Sequence, residues 1–309
     1  MRGCSGQWQV ANRLLRFAFA PAWSKLGTER HMKKQTLGHE IAFHGQGVHS
    51  GRPVNMKVLP SDSGRIVFRR MDVDGLEIPL DPIAAGARQC TFIQGRGASV
   101  QTIEHLMAGL RMSGVDSALI ELDTEEVPIL DGSAAPYVEA LAAAGRATLG
   151  EERKSLKVLK SFCLQEKDAS VAFEPGPEYG ISYRIDFDHP LIGRMSIDLV
   201  LDRESFAKEI APARTFGFLK DVDRLRAMGL SLGATYENTV VLDETTVVNP
   251  PLRFGDEFVR HKVLDIVGDL AVAGAPFLGR VRAERAGHAL HIRALQAFLS
   301  SPGYWAWAD

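Results

Sequence analysis

Thr102-Ile-Glu-His-Leu-Met-Ala-Gly-Leu-Arg-Met112 decides the fold class, because the hydrophobic period changes here. Ile103, Leu106, Met107 and Leu110 fall at helical spacing, which makes one helix face apolar. The residues before it, Gln35 to Ile83, instead read as strands, with alternation in Val54-Asn-Met-Lys-Val-Leu59 and Arg65-Ile-Val-Phe-Arg69. Gly47, Gly51, Pro60-Ser-Asp-Ser-Gly64 and Asp74-Gly75 punctuate those strands as turns. Downstream, Ala118-Leu-Ile-Glu-Leu122 reads as a buried strand. A second apolar helix starts near Pro136 and is closed by Gly145, with Ser133 as its expected N-cap.

The second half repeats this order after the charged linker Gly150-Glu-Glu-Arg-Lys154. Strands are expected at Leu156 to Leu164, Ser170 to Phe173, Gly180 to Phe187 and Arg194 to Leu201. A helix follows over Gly255 to Val272, then a strand around Leu278 to Ala283 and a last helix from His288 to Leu299. Both halves thus read as strands, helix, strand, helix, which predicts an α+β protein of two duplicated domains. The expected limits are 32–150 and 151–309, with an insert near 215–241 in the second domain. Residues 1–31 carry five basic side chains against only Glu29. They are expected to lie outside the fold, as an upstream start or a weak targeting peptide.

The chain has 309 residues, is 45% hydrophobic and 24% charged, and carries a formal net charge of −2. Such a balance lacks the cationic footprint of non-specific nucleic-acid binding, so no nucleic-acid partner is expected. The longest apolar run without charge, Leu270 to Gly279, is too short for a transmembrane helix. Cys4, Cys90 and Cys163 are widely spaced and form no CxxC pair. Neither a disulfide framework nor a thiolate zinc knuckle is expected, and the setting is taken as cytoplasmic.

His261-Lys-Val-Leu-Asp265 is the sharpest local feature. Residues four apart share a helix face about 6 Å apart along the axis, so imidazole and carboxylate can converge on one ion. Asp269 continues the stripe. Taken alone, the pair fits a helix-surface contact or a satisfied core histidine equally well, and a metal site needs a third ligand. His105 offers one beside Glu104, within an aliphatic run. Neighbouring helix positions differ by about 100° in azimuth, so the two can flank a reacting atom without both binding metal. The alternative is a helix-terminal glutamate complementing the dipole beside a buried histidine. His288 follows a glycine at a helix start and suits a general acid, since its ordinary pKa of about 6.5 lies near working pH. His291 competes for that role or is a surface residue. Lys262 and Arg285 are candidates for an anionic substrate or are plain solvated charge. Gly45-Gln-Gly-Val-His-Ser-Gly51 is no dinucleotide fingerprint: its spacing is GxGxxxG and it leads into a strand.

Seven ordered motifs carry a family resemblance. They are Gly47-Val-His-Ser-Gly51, Thr102-Ile-Glu-His-Leu106, Pro128-Ile-Leu-Asp-Gly-Ser-Ala134, Asp186-Phe-Asp-His-Pro190, Ala213-Arg-Thr-Phe-Gly-Phe218, the run Arg253 to Asp269, and Gly287-His-Ala-Leu290. Together they resemble the bacterial UDP-3-O-acyl-N-acetylglucosamine deacetylases, zinc enzymes of lipid A biosynthesis. The resemblance implies a two-domain α+β fold with Zn2+ held by His105, His261 and Asp265. It further implies Glu104 as general base, His288 as general acid supported by Asp269, and Thr215 at the oxyanion. Lys262 and Arg285 would meet the diphosphate of a UDP-linked acylated glucosamine, and Phe216, Leu219, Leu230 and Leu232 would line an acyl passage. The implied protein is a monomer. Glu104 and His288, on different helices, are expected to titrate separately. A non-catalytic sugar-nucleotide or lipid-binding module of the same fold is the competing reading.

Overall fold

The computed structural model describes residues 32–309, so the expectation for residues 1–31 falls outside the described residues. The first half contains β1 (Lys33–Leu37), β2 (Ile41–Gln46), β3 (Pro53–Leu59), β4 (Ile66–Arg70), β5 (Leu76–Pro79), β6 (Ala85–Ala87), β7 (Thr91–Gly95), β8 (Ala98–Gln101), α1 (Glu104–Met112), β9 (Ala118–Leu122), α2 (Ala135–Ala144) and β10 (Arg146–Glu152). The second contains β11 (Ser155–Val158), β12 (Phe162–Glu166), β13 (Ala169–Glu174), β14 (Tyr179–Asp186), β15 (Arg194–Val200), the short α3 (Arg203–Ser205), β16 (Phe216–Phe218), α4 (Val222–Ala227), β17 (Val240–Leu242), α5 (Glu257–Ala271), β18 (Phe277–Glu284), α6 (His288–Leu299) and β19 (Trp305–Ala308).

Both large sheets are mixed. Strands of the first run in the order β2-β3-β9-β4-β5, with β9 parallel to β4 and antiparallel to β3. In the second, β18 is antiparallel to β13 and parallel to both β11 and β14. The α+β class stands. Alternation drives the burial: in β3, Val54, Met56 and Val58 face the core while Pro53, Asn55 and Lys57 face out.

The helices form the layer that matters for the site. α1 packs on α5 and α2, and α5 packs on α6. One glycine sets how closely α1 approaches α5, because a Cβ on Gly268 would lie 1.9 Å from the Glu104 carbonyl oxygen. Only a residue without a side chain lets the start of α1 rest on α5.

Several local expectations need correction. Gly150 to Glu152 are not linker but the end of β10, which pairs antiparallel with β1. β10 is mostly exposed on both faces, so it shows none of the alternation that marks a half-buried strand. Leu156 to Leu164 is two strands, β11 and β12, in place of one. The N-cap of α2 is Ala134 rather than Ser133. Even so, Ser133 Oγ accepts from the amide of Ala135 at 3.2 Å. Cys90 is free and buried. Among the described residues, no helix is long and apolar enough to cross a membrane.

Candidate active site

Glu104 and His105 open α1, His261 and Asp265 lie on the middle of α5, and His288 opens α6. All five line one cleft of about 1080 Å3. Packing of α1 and α6 on α5 is therefore what assembles the site from distant sequence. Thr102 and Arg285, just before α1 and α6, have φ of 58° and 51°. Positive φ is costly for side-chain-bearing residues and is tolerated only where the surroundings enforce it.

His105, His261 and Asp265 form one group, with a donor atom of each within 4.8 Å of the others. Asp265 Oδ1 lies 3.2 Å from His261 Nε2 and 3.7 Å from His105 Nε2. That oxygen is buried and has no hydrogen-bond partner. An orphaned carboxylate oxygen between two imidazole nitrogens is costly unless a cation sits among them. His261 donates its Nδ1–H to the Ala213 carbonyl at 3.1 Å, which leaves Nε2 with its lone pair free for an ion. Burial pushes His261 down to about 4, keeping it neutral at working pH. Burial opposes the charge of Asp265, yet His261, Lys262 and His288 hold its carboxyl well below the usual range. Two imidazole nitrogens and one carboxylate are a donor set that zinc takes.

Glu104 stands beside this group without being needed in it. Its Oε2 accepts from the Thr91 amide at 3.1 Å. Burial raises its pKa, partly offset by His288 and His105. His288 Nε2 lies 3.9 Å from Glu104 Oε1 and 3.7 Å from Asp265 Oδ2. Glu104 and His288 thus lie close enough for each to feel the other's charge.

Behind His288 sits a chain of buried polar groups. Asp269 Oδ2 accepts from His288 Nδ1 at 2.8 Å and from His291 Nδ1 at 2.7 Å, and its Oδ1 accepts from Thr91 Oγ1 at 2.6 Å. Burial works against a charged His288, but Asp269 and Asp265 outweigh it and lift the imidazole to about 9. His291 is fully buried and meets the Tyr183 hydroxyl at 2.9 Å, so it is neither a surface residue nor a competitor of His288 for the cleft.

The remaining expected residues divide. Thr215, Phe216, Leu219, Lys262 and Arg285 line the cleft; Leu230 and Leu232 do not. Leu232 turns away and packs on Gly51, its Cβ lying 3.2 Å from where a Cβ there would be. Phe187, Phe218, Val222, Leu225 and Val241 supply the apolar wall instead. Lys262 Nζ bonds Asp265 Oδ2, and Arg285 pairs with Asp168 at 2.9 Å.

Sequence reasoning missed roles for His49, Glu126, Thr91 and Tyr183. His49 lines the cleft, because buried Glu126 accepts from the His49 and Ser50 amides, both at 2.8 Å, and pins the Gly47–Gly51 loop. The loop's Gly-Val-His-Ser-Gly pattern was the available signal. Thr91 carried none.

A family model described as UDP-3-O-acyl N-acetylglycosamine deacetylase matches residues 34–300. The chain is 43% identical to the UDP-3-O-acyl-N-acetylglucosamine deacetylase of Geotalea uraniireducens (strain Rf4) over 278 residues, covering 88% of this chain and 90% of that protein. It is 42% identical to the proteins of the same name from Brucella ovis and Brucella canis over 272 residues, covering 86% of this chain and 95% of each. A family model over residues 34–300 and relatives at 42–43% identity over most of their length show that the chain belongs to the UDP-3-O-acyl-N-acetylglucosamine deacetylase family.

Proposed function

We infer that this chain is the hydrolase its family is named for, removing the acetyl group from the 2-acetamido nitrogen of UDP-3-O-acyl-N-acetylglucosamine in lipid A biosynthesis. The observation that carries the reading is the orphaned Asp265 Oδ1, facing two histidine nitrogens in a cleft that also holds Glu104 and His288. His105, His261 and Asp265 would hold zinc. When bound, zinc supplies Lewis acidity for the amide carbonyl and for water.

This chain's residues do the rest. Glu104, its carboxylate aimed into the cleft and steadied by Thr91, takes the proton of the attacking water. His288, kept cationic by Asp269, donates a proton from Nε2 to the departing amine. Thr215 stands at the oxyanion. Lys262 and Arg285 meet the diphosphate, and the wall of Phe216, Phe218 and Leu219 takes the acyl chain. Acetate and a free glucosamine nitrogen result. A binding module would have no use for a carboxyl and an imidazole set 3.9 Å apart beside a metal-binding group.

The reading includes a cytoplasmic monomer. It also divides the fold near residue 150 into two domains. The test is metal analysis with an acetate-release assay on the UDP-linked substrate. One zinc per chain and turnover are expected, both lost in His105→Ala. A His105→Ala protein with full zinc and full turnover would refute the ligand assignment.

A further inference from the structure

A second cavity, of about 250 Å3, lies between the C-terminal ends of α1 and α5. It shares no lining residue with the catalytic cleft. Four arginines line it, namely Arg111, Arg146, Arg153 and Arg203, and no acidic side chain does. Arg111 is 6% exposed. Its Nη1 donates to Asp116 Oδ1 at 3.1 Å, but its Nε and Nη2 are buried without any partner. Those two atoms form the edge of the guanidinium whose parallel N–H groups meet an oxyanion bidentately.

The other cations fit an anion rather than each other. Asp116 is shared with Arg153 Nε at 2.9 Å, so one carboxylate serves two arginines. Arg146 and Arg203 are exposed and make no ion pair among the described residues. Gly114, with φ of 76°, leaves room for Arg146, since a Cβ there would lie 2.8 Å from Arg146 Nη1. The opposite wall is apolar, built by Val267, Leu270 and Phe277. Arginines gathered against a hydrophobic wall repel one another unless a counter-ion joins them.

We propose that this cavity is a binding site for a small phosphate-bearing ligand, its oxyanion held by the unpartnered edge of Arg111 and by Arg146 and Arg203. The size admits a phosphate with at most a compact apolar substituent, and excludes a nucleotide or a long acyl chain. Val267 and Leu270 sit on the helix that carries His261 and Asp265, so occupancy bears on the rear of the catalytic helix.

Isothermal titration calorimetry of the full chain at low ionic strength, with inorganic phosphate and with phenyl phosphate, tests this. The comparison is with Arg146→Ala/Arg203→Ala, which keeps the buried Arg111–Asp116–Arg153 contacts and therefore the fold. The wild-type protein should show a binding event that weakens at least tenfold in the double variant, while deacetylation measured without phosphate stays unchanged. Tighter binding of phenyl phosphate assigns the site to a phosphomonoester, and equal binding assigns it to free phosphate. Identical isotherms for both proteins, or no binding event in the wild-type protein, would overturn the proposal.

Discussion

Removing the charge of Asp269 while keeping its shape interrogates the acid directly. His288 must be protonated to act, and its folded pKa is lifted to about 9 by Asp269 and Asp265 against the effect of burial. A raised histidine contributes stability fully below its ordinary pKa of 6.5, and that contribution is lost as pH rises through about 9. Activity should follow the same direction. kcat/KM falls on the alkaline side at or below pH 9, because a bound cation partly cancels Asp265. In Asp269→Asn the limb should move to lower pH and the rate should drop; a pH profile with an unmoved limb would detach Asp269 from the acid. Glu104→Gln should keep its zinc yet lose on the order of 10²–10⁴ in kcat. Zinc loss there would make Glu104 a ligand. At this scale the sequence was informative where two chemical groups shared a helix face, as in His261 and Asp265. It was silent on Thr91, which reaches Asp269 across 178 positions, and it misplaced His291, whose i+3 spacing from His288 says nothing about burial.

Two elements meet the site through contacts that can be tested without touching the chemistry. In Gly268→Ala the added methyl would overlap the Glu104 carbonyl, forcing α1 off α5 at a cost of roughly 1–3 kcal/mol, the usual scale of overpacking. Gly255→Ala is the control, since a Cβ there meets nothing within 4 Å. Melting temperature and kcat should both fall in the first and hold in the second. The start of α5 is fixed differently, by fully buried Glu257, whose Oε1 accepts from Arg214 Nε at 2.9 Å and from the Arg214 amide at 3.0 Å. Arg214→Ala leaves that buried carboxylate with backbone amides but no charged partner and should cost on the order of 3 kcal/mol in a denaturant titration. Burial raises the Glu257 pKa, but Arg214 and the backbone amides overcome it and hold the carboxyl below its usual range. Its stabilising contribution is therefore present above that range and disappears as pH falls, and the variant should show a smaller acid-side loss. Helices such as α6 were legible to the residue because their apolar faces repeat at one period. The parallel pairings of β9 with β4 and of β18 with β11 and β14 were not, since alternation reports which face is buried and not which neighbour lies alongside.

At the scale of the molecule, the repeated order of strands and helices was visible, whereas the joining of the halves was not: α1 of the first half lies directly on α5 of the second. The ligand group crosses that junction, because His105 comes from α1 and His261 and Asp265 come from α5. A metal held there binds the folded chain only, so it should stabilise the whole protein by about 2.7 kcal/mol when free metal exceeds its Kd a hundredfold. For a chain of this size each kcal/mol corresponds to roughly 2–4 °C, which predicts a rise in Tm of roughly 5–10 °C on zinc loading. The ligands must be unprotonated, and burial already holds His261 neutral down to about 4. The lowered pKa fixes the sign: the zinc-dependent rise should be full at neutral pH and fade as pH falls toward 4. His105→Ala should melt at one temperature with or without zinc. If chelation abolished deacetylation in the wild-type protein but left Tm unchanged, the metal would not be bridging α1 and α5, and the ligand from the first half would have to be sought elsewhere.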